Sequence, residues 1–332
     1  MDLGLTGKRA LVMGSTRGMG QGIAARLAAE GAHVAVCGRK LVDAEASATD
    51  MQNSRAYALD LSDQASIDAL IASINADFGG LDIIVCNGGG PPPGNIADVA
   101  AETWAAQFQA MFINQLSIVN TFLPGMRERK WGRILVVSSS GIVQPIPNLG
   151  ISNAIRASQV GWAKTLSSEV APDGVTVNTV APGRIHTDRV NQIDAAAATK
   201  QGKPVEDIAR ASQATIPMGR YGSVAEFADT AVYLLSANAS YITGSVVKVD
   251  GGMIRSVWRL LHQLAGDGIE RRRQAGRGGE RRRGVAFMEH AAARFAGKFT
   301  IAPDELSAQQ GHHRPAGHFT PLIRRVIHRV MH

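Results

Sequence analysis

The chain has 332 residues, 45% of them hydrophobic, and a formal net charge of +7. This length is enough to bury a large core and suits one large domain or two ordinary ones. Residues 259–332 carry 14 of the 35 Lys and Arg side chains but only 6 of the 28 Asp and Glu side chains. Residues 1–258 are therefore nearly neutral, which argues against nucleic acid or a membrane as their partner.

Cysteine content and hydropathy exclude further classes. Cys37 and Cys86 are too few for a disulfide framework or a four-ligand metal site, so we expect no metal and a reducing compartment. The first residues have no apolar stretch suited to a signal peptide, and no run approaches the roughly 18 apolar residues of a membrane span. These features predict a soluble, cytoplasmic protein.

Short apolar runs alternate with longer amphipathic ones, an order typical of repeated strand-helix-strand units. Seven runs rich in Val, Ile and Leu predict buried parallel strands. They are Ala10–Met13, Val34–Cys37, Ala56–Leu59, Ile83–Cys86, Ile134–Val137, Val175–Val180 and Val246–Val249. We therefore predict an α/β fold: a single Rossmann-type domain over residues 1–258 with a doubly wound, seven-stranded parallel sheet.

Helical segments are predicted between these strands, most of them followed by a glycine. They are Gln21–Ala29, Ala65–Ala76, Glu102–Arg127, Ala154–Val170 and Ala225–Leu235. Residues 185–218 stand apart as a long irregular insertion after the sixth strand. Because ligands bind at the carboxyl edge of such sheets, we expect this insertion to be a movable lid over the substrate.

The basic segment 259–332 lies beyond the predicted domain. Clustered like charge and low hydrophobicity predict disorder in its first half. Near the end, apolar residues recur every four positions opposite arginines, which predicts a basic amphipathic helix. Such a helix suits an anionic membrane surface, RNA or a partner groove, and the alternative is a read-through or misframed extension without function.

The first strand runs into a glycine-rich turn that directly precedes a helix. Its residues are Gly14, Ser15, Thr16, Arg17, Gly18, Met19 and Gly20. Glycines let the backbone approach a pyrophosphate, and the first amides of the helix point at the negative charge. An ordinary turn is the alternative, but the strand before and the helix after favour a phosphate site.

The end of the second strand bears on which dinucleotide binds. An acidic residue there would bind the ribose hydroxyls of NAD. The chain instead has Arg39 and Lys40, and Arg17 extends from the phosphate turn. Because guanidinium groups suit a 2′-phosphate, NADP is favoured over NAD; the alternative is that Arg39 and Lys40 only begin a solvated helix.

With these and later motifs, residues 6–253 resemble the short-chain dehydrogenase/reductase family, and most of all its 3-oxoacyl-acyl-carrier-protein reductases. The later motifs are Asp60-Leu61, Asn87-Gly88-Gly89, the serines 138–140, Val175-Thr176-Val177-Asn178, Ala181-Pro182-Gly183, Thr187-Asp188 and Val249-Asp250-Gly251-Gly252. The resemblance implies that Asp60 and Leu61 contact the adenine and that the glycines after Asn87 border the cofactor. It further implies a homo-oligomer, either a tetramer or a dimer.

The resemblance also locates the nicotinamide and the reacting groups. Pro182, Gly183, Ile185 and Thr187 take the positions that line the nicotinamide. The family uses a serine, a tyrosine thirteen positions later and a lysine four further on, and here those positions hold Ser139, Ser152 and Arg156. The family's asparagine is replaced by Met111, although Asn114 lies one helical turn further on. No tyrosine occurs between the serines and Pro182, so a shifted alignment does not restore the motif.

Loss of the phenol affects one proton, because a carbonyl oxygen that gains negative charge must be protonated. A serine is a far weaker acid, and an arginine keeps its proton, although it can still bind the nicotinamide ribose. One hypothesis is an atypical NADP-dependent reductase of a 3-oxoacyl thioester or small ketone, with water or His186 as proton source. The alternatives are an NADP-binding sensor or assembly partner without turnover, and a different reaction such as dehydration or isomerisation.

Overall fold

The computed structural model describes residues 2–91 and 93–256. They form one seven-stranded sheet in the order β3-β2-β1-β4-β5-β6-β7, with every neighbouring pair parallel. The strands are β1 Arg9–Val12, β2 His33–Gly38, β3 Ser54–Ala58, β4 Ile83–Cys86, β5 Gly132–Val137, β6 Val175–Pro182 and β7 Val246–Val249. The predicted doubly wound sheet is thus confirmed, with its order reversing between β1 and β4. The predictions for residues 259–332 lie outside the described residues.

Nine α-helices are present in the described ranges. They are α1 Gly18–Ala29, α2 Leu41–Ala48, α3 Gln64–Phe78, α4 Ala101–Phe108, α5 Asn114–Glu128, α6 Gly150–Val170, α7 Asp188–Gln201, α8 Val205–Ala214 and α9 Val224–Leu235. A π-helical turn, Gln109–Ile113, separates α4 from α5, so the single helix predicted over Glu102–Arg127 is interrupted. None of the helices in these ranges is long and apolar enough to cross a membrane.

The prediction of an irregular segment over 185–218 is wrong, because α7 and α8 occupy most of it. The apolar spacing in α7 is weak, since its sequence is dominated by alanine and polar residues. Alanine has the highest intrinsic helix propensity, and a helix here needs only a few buried contacts. Val190 and Ala198 supply them by turning inward from the same helix.

Helices cover both faces of the sheet. On one face, α1, α2 and α9 form a core that contains Leu27 and Phe227. On the other, α3, α5 and α6 contribute Ile74, Phe122 and Leu166 to a second core. Each such side chain contributes roughly 1.5–3 kcal/mol when it is fully buried. Because the strands are covered on both sides, their carboxyl ends are fixed relative to one another.

A charge network joins the opposite, amino-terminal edge of the sheet. Asp82 lies directly before β4, and its carboxylate contacts Arg9 at 2.6 Å and Arg129 at 3.1 Å. Burial alone would raise the pKa of Asp82, but hydrogen bonds from Arg9 and the charges of both arginines hold it below its ordinary value. The carboxylate thus links the starts of β1 and β4 to the end of α5.

Replacement of Asp82 by asparagine is expected to lower the free energy of unfolding at pH 7 by about 2 kcal/mol, because two half-exposed arginines lose their counter-charge. The contribution of a carboxylate with a lowered pKa is present above its unfolded pKa of about 4 and disappears as the pH falls through its folded pKa. Urea unfolding of both proteins between pH 7 and pH 2 measures this. Asp50→Asn, at an exposed position, is the control. If the difference in the free energy of unfolding between the unaltered chain and Asp82→Asn stays constant down to pH 2, the lowered pKa assigned to Asp82 is contradicted.

Candidate active site

The turn between β1 and α1 has the geometry of a phosphate site. Gly14 and Gly18 adopt φ angles of 58° and 57°, which favour glycine. A Cβ on Gly20 would lie 2.3 Å from the carbonyl oxygen of Gly14, so α1 begins directly against the turn. Arg17, the N-cap residue, makes no side-chain cap bond, and the first turn of α1 has no acidic residue. The positive end of this helix therefore suits a pyrophosphate.

Ser15 shapes this turn from within. It is fully buried, and its hydroxyl donates to the carbonyl oxygen of Val12 at 2.7 Å while accepting from the amide of Cys37 at 2.8 Å. The hydroxyl of Ser47 donates to the Ser15 carbonyl oxygen at 3.1 Å. The side chain of Ser15 therefore joins the turn to β1 and β2, its carbonyl oxygen joins the turn to α2, and the buried hydroxyl is not exposed for contact with a cofactor.

The end of β2 presents cations beside this turn. A Cβ on Gly38 would lie 2.3 Å from the Cγ2 atom of Thr16, so the strand end and the turn are in close contact. Arg39 and Lys40 follow and are exposed, as is Arg17. The structure thus brings together the three cations on which the sequence argument for a 2′-phosphate depends.

The predicted adenine contacts lie at the same edge. The hydroxyl and amide of Ser62 donate to the Asp60 carboxylate at 2.6 and 2.9 Å. The pKa of Asp60 lies below its ordinary value because of these bonds and, to a smaller extent, the charge of Arg39. A Cβ on Gly88 would lie 3.7 Å from the Cδ1 atom of Leu61. The ends of β2, β3 and β4 therefore meet around these residues.

Asn87 fixes the loop after β4 against the phosphate turn. Its Nδ2 atom donates to the carbonyl oxygens of Met13 and Gly14, both at 3.0 Å. Gly88 and Gly89 follow, and Gly89 is exposed with open space where a side chain would lie. The side-chain amide of Asn87 therefore fixes the position of Gly88 and Gly89, which are predicted to border the cofactor, relative to the phosphate turn.

The segment after β6 contacts the end of β7. Pro182 is buried as the last residue of β6, and a Cβ on Gly183 would lie 2.7 Å from the Cα atom of Asp250. Ile185 is buried and forms a β-bridge with Gly222. These contacts fix the path of the backbone that the resemblance assigns to the nicotinamide.

The start of α7 returns to the phosphate turn. Thr187 is its N-cap residue, and a Cβ on Gly18 would lie 3.5 Å from the Thr187 Cγ2 atom. Further along α7, the buried Asp194 accepts from the Tyr221 hydroxyl at 2.6 Å and pairs with Arg184 at 3.2 Å. Burial and, to a smaller extent, the hydrogen bond to Asp194 raise the pKa of Tyr221. Sequence reasoning missed this network, which anchors the predicted lid.

Arg156 lies between the ends of β4 and β5. Its Nη1 atom donates to the carbonyl oxygen of Val137 at 2.7 Å, and Nη2 reaches that of Gly88 at 3.5 Å. Its Nε atom donates to the Ser152 hydroxyl oxygen at 3.2 Å, one turn earlier on α6. Within the described ranges it forms no salt bridge. Burial lowers the pKa of Arg156, yet a guanidinium stays protonated near neutral pH.

The two serines lie on the elements that flank this arginine. Ser139 follows β5, and its hydroxyl oxygen accepts from the amide of Gly141 at 3.1 Å. Ser152 stands in the first turn of α6, and both serines are half-buried. The Ser152 oxygen accepts from Arg156, so its proton is directed elsewhere, and no protein acceptor takes it among the described residues. Ser152 is therefore oriented as a hydrogen-bond donor.

Asn114 has other contacts. Its Nδ2 atom donates to the carbonyl oxygen of Leu61 at 2.7 Å, and its Oδ1 atom accepts from Gln109 at 2.6 Å. Met111, in the π-helical turn before it, has its carbonyl oxygen bound by Gln159 of α6 at 2.7 Å. The structure thus directs the Asn114 amide to the loop after β3, with no hydrogen bond to the two serines or Arg156.

Asn153 was missed by the sequence reasoning. Its Nδ2 atom donates to the carbonyl oxygen of Ile146 at 2.9 Å, which joins the proline-rich loop after β5 to α6. The amide of Gly94 donates to the carbonyl oxygen of Asn148 at 2.8 Å, so this loop also contacts the loop after β4. The two loops form connected walls above the serines.

Comparisons with known proteins agree with this geometry. A family model described as enoyl-(acyl carrier protein) reductase matches residues 14–254. The 3-oxoacyl-[acyl-carrier-protein] reductase of Vibrio cholerae is 35% identical over 254 residues, which cover 76% of this chain and 99% of that protein. The D-beta-hydroxybutyrate dehydrogenase of Cupriavidus necator is 34% identical over 257 residues, covering 75% and 99%.

A solved structure has a similar fold. The L-sorbose reductase of Gluconobacter frateurii, in complex with NADPH and L-sorbose, superposes with a TM-score of 0.73 and 31% identity. The match covers 77% of this chain and all of that one. The family match, the similarity of the curated relatives over nearly their whole length and this superposition agree. The chain therefore belongs to the short-chain dehydrogenase/reductase family.

Proposed function

We propose that the protein is an NADPH-dependent reductase that binds the oxygen of a small carbonyl substrate at Ser152 and Arg156. The observation that supports this proposal most directly is the hydrogen bond between these two side chains beside the cofactor turn. Bound NADPH supplies the hydride. The chain holds the carbonyl oxygen and stabilises the charge that develops on it, through donors fixed in place before the reaction.

The turn from Gly14 to Gly20 fits a dinucleotide, since a side chain at Gly20 would fill the space against Gly14. Arg39, Lys40 and Arg17 would hold the 2′-phosphate, which favours NADP. The L-sorbose reductase to which the chain is similar was solved with NADPH, which supports this choice. Pro182, Gly183, Ile185 and Thr187 are proposed to line the nicotinamide.

The proposed site residues then have different roles. Ser139 and Ser152 donate to the substrate oxygen, and Arg156 supplies positive charge and binds the nicotinamide ribose. Asn114 is proposed as a positioning residue, because its amide is bound to Leu61 and Gln109. Helices α7 and α8 are proposed to close over the substrate.

A homo-oligomer is part of the proposal. Tyr241 is fully exposed just before β7, and Tyr233 and Val246 are each 39% exposed. Val246 lies on the edge strand β7, Tyr241 precedes it and Tyr233 lies on α9. Exposed large apolar groups of this kind favour contact with a second subunit. The buried, unpaired cysteines fit a reducing compartment such as the cytoplasm.

One observation favours a second candidate, an NADP-binding protein without turnover. In the described ranges, no tyrosine, histidine, cysteine or carboxylate makes a hydrogen bond to Ser139, Ser152 or Arg156. The two candidates share the cofactor site and differ in whether the cofactor is consumed.

NADPH binding and NADPH oxidation by the full chain separate them. Calorimetry is expected to show binding. Absorbance at 340 nm is expected to fall faster than in buffer with at least one member of a panel of ketones, aldehydes, quinones, 3-oxoacyl thioesters and conjugated carbonyl compounds. Binding without oxidation across the whole panel contradicts the reductase and supports the second candidate.

Gly20→Ala tests the phosphate turn. The added methyl would lie 2.3 Å from the Gly14 carbonyl oxygen and 2.6 Å from the Nδ2 atom of Asn87. We expect the Kd for NADPH to rise at least about tenfold, a loss of about 1.4 kcal/mol. Gly161→Ala, on an open surface of α6, is the control and leaves binding unchanged. Unaltered binding by Gly20→Ala shows that the cofactor lies elsewhere.

Arg39→Ala tests cofactor choice. Loss of a charge-assisted bond worth about 1.5–3 kcal/mol is expected to raise the Kd for NADPH at least about tenfold and to leave that for NADH nearly unchanged. Arg55→Ala removes an exposed arginine at the far end of the neighbouring strand β3 and serves as control. Equal weakening of both cofactors, or of neither, contradicts a role in binding the 2′-phosphate.

A further inference from the structure

A phenol and a guanidinium join the segment 185–218 to the body of the domain through one carboxylate. The Tyr221 hydroxyl donates to one oxygen of Asp194 at 2.6 Å, and the Nη1 atom of Arg184 donates to the other at 3.2 Å. Asp194 lies on α7 and is only 3% exposed, whereas Arg184 directly precedes the segment and Tyr221 closely follows it. A carboxylate buried to this extent is stable only while it keeps such partners.

The two partners are fixed on the body side. The amide of Gly222 donates to the Arg184 carbonyl oxygen at 2.9 Å, which pairs the two stretches of backbone. Arg220 donates to both carboxylate oxygens of Glu226, at 2.9 and 2.6 Å, and Glu226 belongs to the capping box that begins α9. Tyr221 is therefore attached to the end of β6 and to the start of α9, and Asp194 is the group that α7 offers to it.

Apolar packing contributes little to holding α7 and α8. Among the described residues, α7 buries two apolar side chains, Val190 and Ala198, and α8 buries none. By contrast, α9 buries six side chains, among them Phe227. An element with few buried apolar contacts opens at a low free-energy cost. Because hydrogen bonds to charged groups are among the stronger ones, the bond between Tyr221 and Asp194 is a large share of what keeps α7 in place.

The same helix begins at the phosphate turn. The Cγ2 atom of Thr187, the N-cap residue of α7, lies 3.5 Å from the position that a Cβ on Gly18 would occupy. Seven residues separate Thr187 from Asp194, which is about 10 Å or two helical turns, so both lie on one face of the helix. Movement of α7 away from Tyr221 therefore also moves Thr187 away from the turn on which the pyrophosphate is proposed to bind.

From this geometry we infer that Tyr221 and Asp194 are positioning residues for the cofactor. Their hydrogen bond holds the start of α7 against the phosphate turn and thereby slows the release of NADPH and NADP⁺. The inference rests on the proposed function, because it requires a dinucleotide on that turn. Release follows when the phenol and the carboxylate separate and α7 moves outward.

Tyr221→Phe tests the inference in the full chain, because it removes the hydroxyl and keeps the ring. Displacement of bound NADPH by excess NADP⁺, followed by stopped-flow fluorescence, measures the rate of release. We expect release at least about tenfold faster than from the unaltered chain, which corresponds to about 1.4 kcal/mol. The association rate constant is expected to change by less than about twofold, since loss of a contact acts mainly on dissociation. An unchanged release rate overturns the inference.

Tyr57→Phe is the matched control. It removes a bond of nearly the same length, 2.7 Å from the Tyr57 hydroxyl to the Asp77 carboxylate, which joins β3 to α3 outside the segment 185–218. Both variants are expected to unfold at a lower urea concentration than the unaltered chain, and only Tyr221→Phe is expected to release NADPH faster. Faster release from both variants by the same factor reflects a general loss of stability and overturns the inference.

Hydrogen exchange gives a readout that needs no cofactor. Tyr221→Phe is expected to increase deuterium uptake over residues 188–201 and to leave residues 64–78 unchanged, and Tyr57→Phe is expected to do the reverse. Equal uptake over 188–201 by Tyr221→Phe and the unaltered chain overturns the inference. Asp194→Asn weakens both bonds to α7 and is expected to speed NADPH release at least about tenfold, so it serves as the test if Tyr221→Phe does not fold.

A cofactor fragment separates the failure of this inference from that of the proposed function. Adenosine 2′-phosphate lacks the pyrophosphate and the nicotinamide, so its Kd is expected to be the same for Tyr221→Phe and the unaltered chain. Equal weakening of the fragment and of NADPH by Tyr221→Phe overturns the inference. NADPH binding with an unaltered release rate overturns the inference alone, whereas a chain that does not bind NADPH overturns the proposed function as well.

Discussion

The guanidinium of Arg156 lies where the ends of β4 and β5 meet the first turns of α6. Arg156 is half-buried and forms no salt bridge within the described residues, so its charge carries a desolvation cost that the carbonyl dipoles of Val137 and Gly88 offset only in part. The remaining positive potential favours an anion, or an oxygen becoming one, at Ser152. The same bonds hold two strand ends at a fixed distance, so that the charge and the shape of the site depend on one side chain.

That position depends in turn on the parallel sheet. Its central strands β1, β4, β5 and β6 are buried on both faces, and side chains join the loops and helices at their carboxyl ends. Asn87 joins the loop after β4 to the phosphate turn, and Asn153 joins the loop after β5 to α6. Asp194 anchors α7 from within. The turn for the cofactor and the donors for the substrate are therefore parts of one connected edge.

Sequence reasoning predicted the strands well, because buried parallel strands appear as short runs of branched apolar residues. The phosphate turn was predicted equally well, since the positive φ angles at Gly14 and Gly18 favour glycine. The contacts of Asn114 were not predicted. A π-helical turn is inserted before Asn114 and rotates the helix, and the spacing of apolar residues does not reveal it. Ser15 was predicted to contact the cofactor. In the folded turn its hydroxyl is buried and bonded to the amide of Cys37 in β2. Two of the partners of Arg156 are backbone carbonyl oxygens, and a sequence motif does not show such contacts.

A crystal structure of the full chain with NADP⁺ and 1,3-cyclohexanedione, a carbonyl compound that is an anion at neutral pH, would show whether Ser152 and Arg156 bind the substrate oxygen. We expect the pyrophosphate on the turn before α1. We also expect one dione oxygen within hydrogen-bond distance of both the Ser152 hydroxyl and the Arg156 guanidinium, with no acidic side chain at that oxygen. A dione oxygen bound instead to a tyrosine, histidine or carboxylic acid, or a ligand that avoids Arg156, would contradict it.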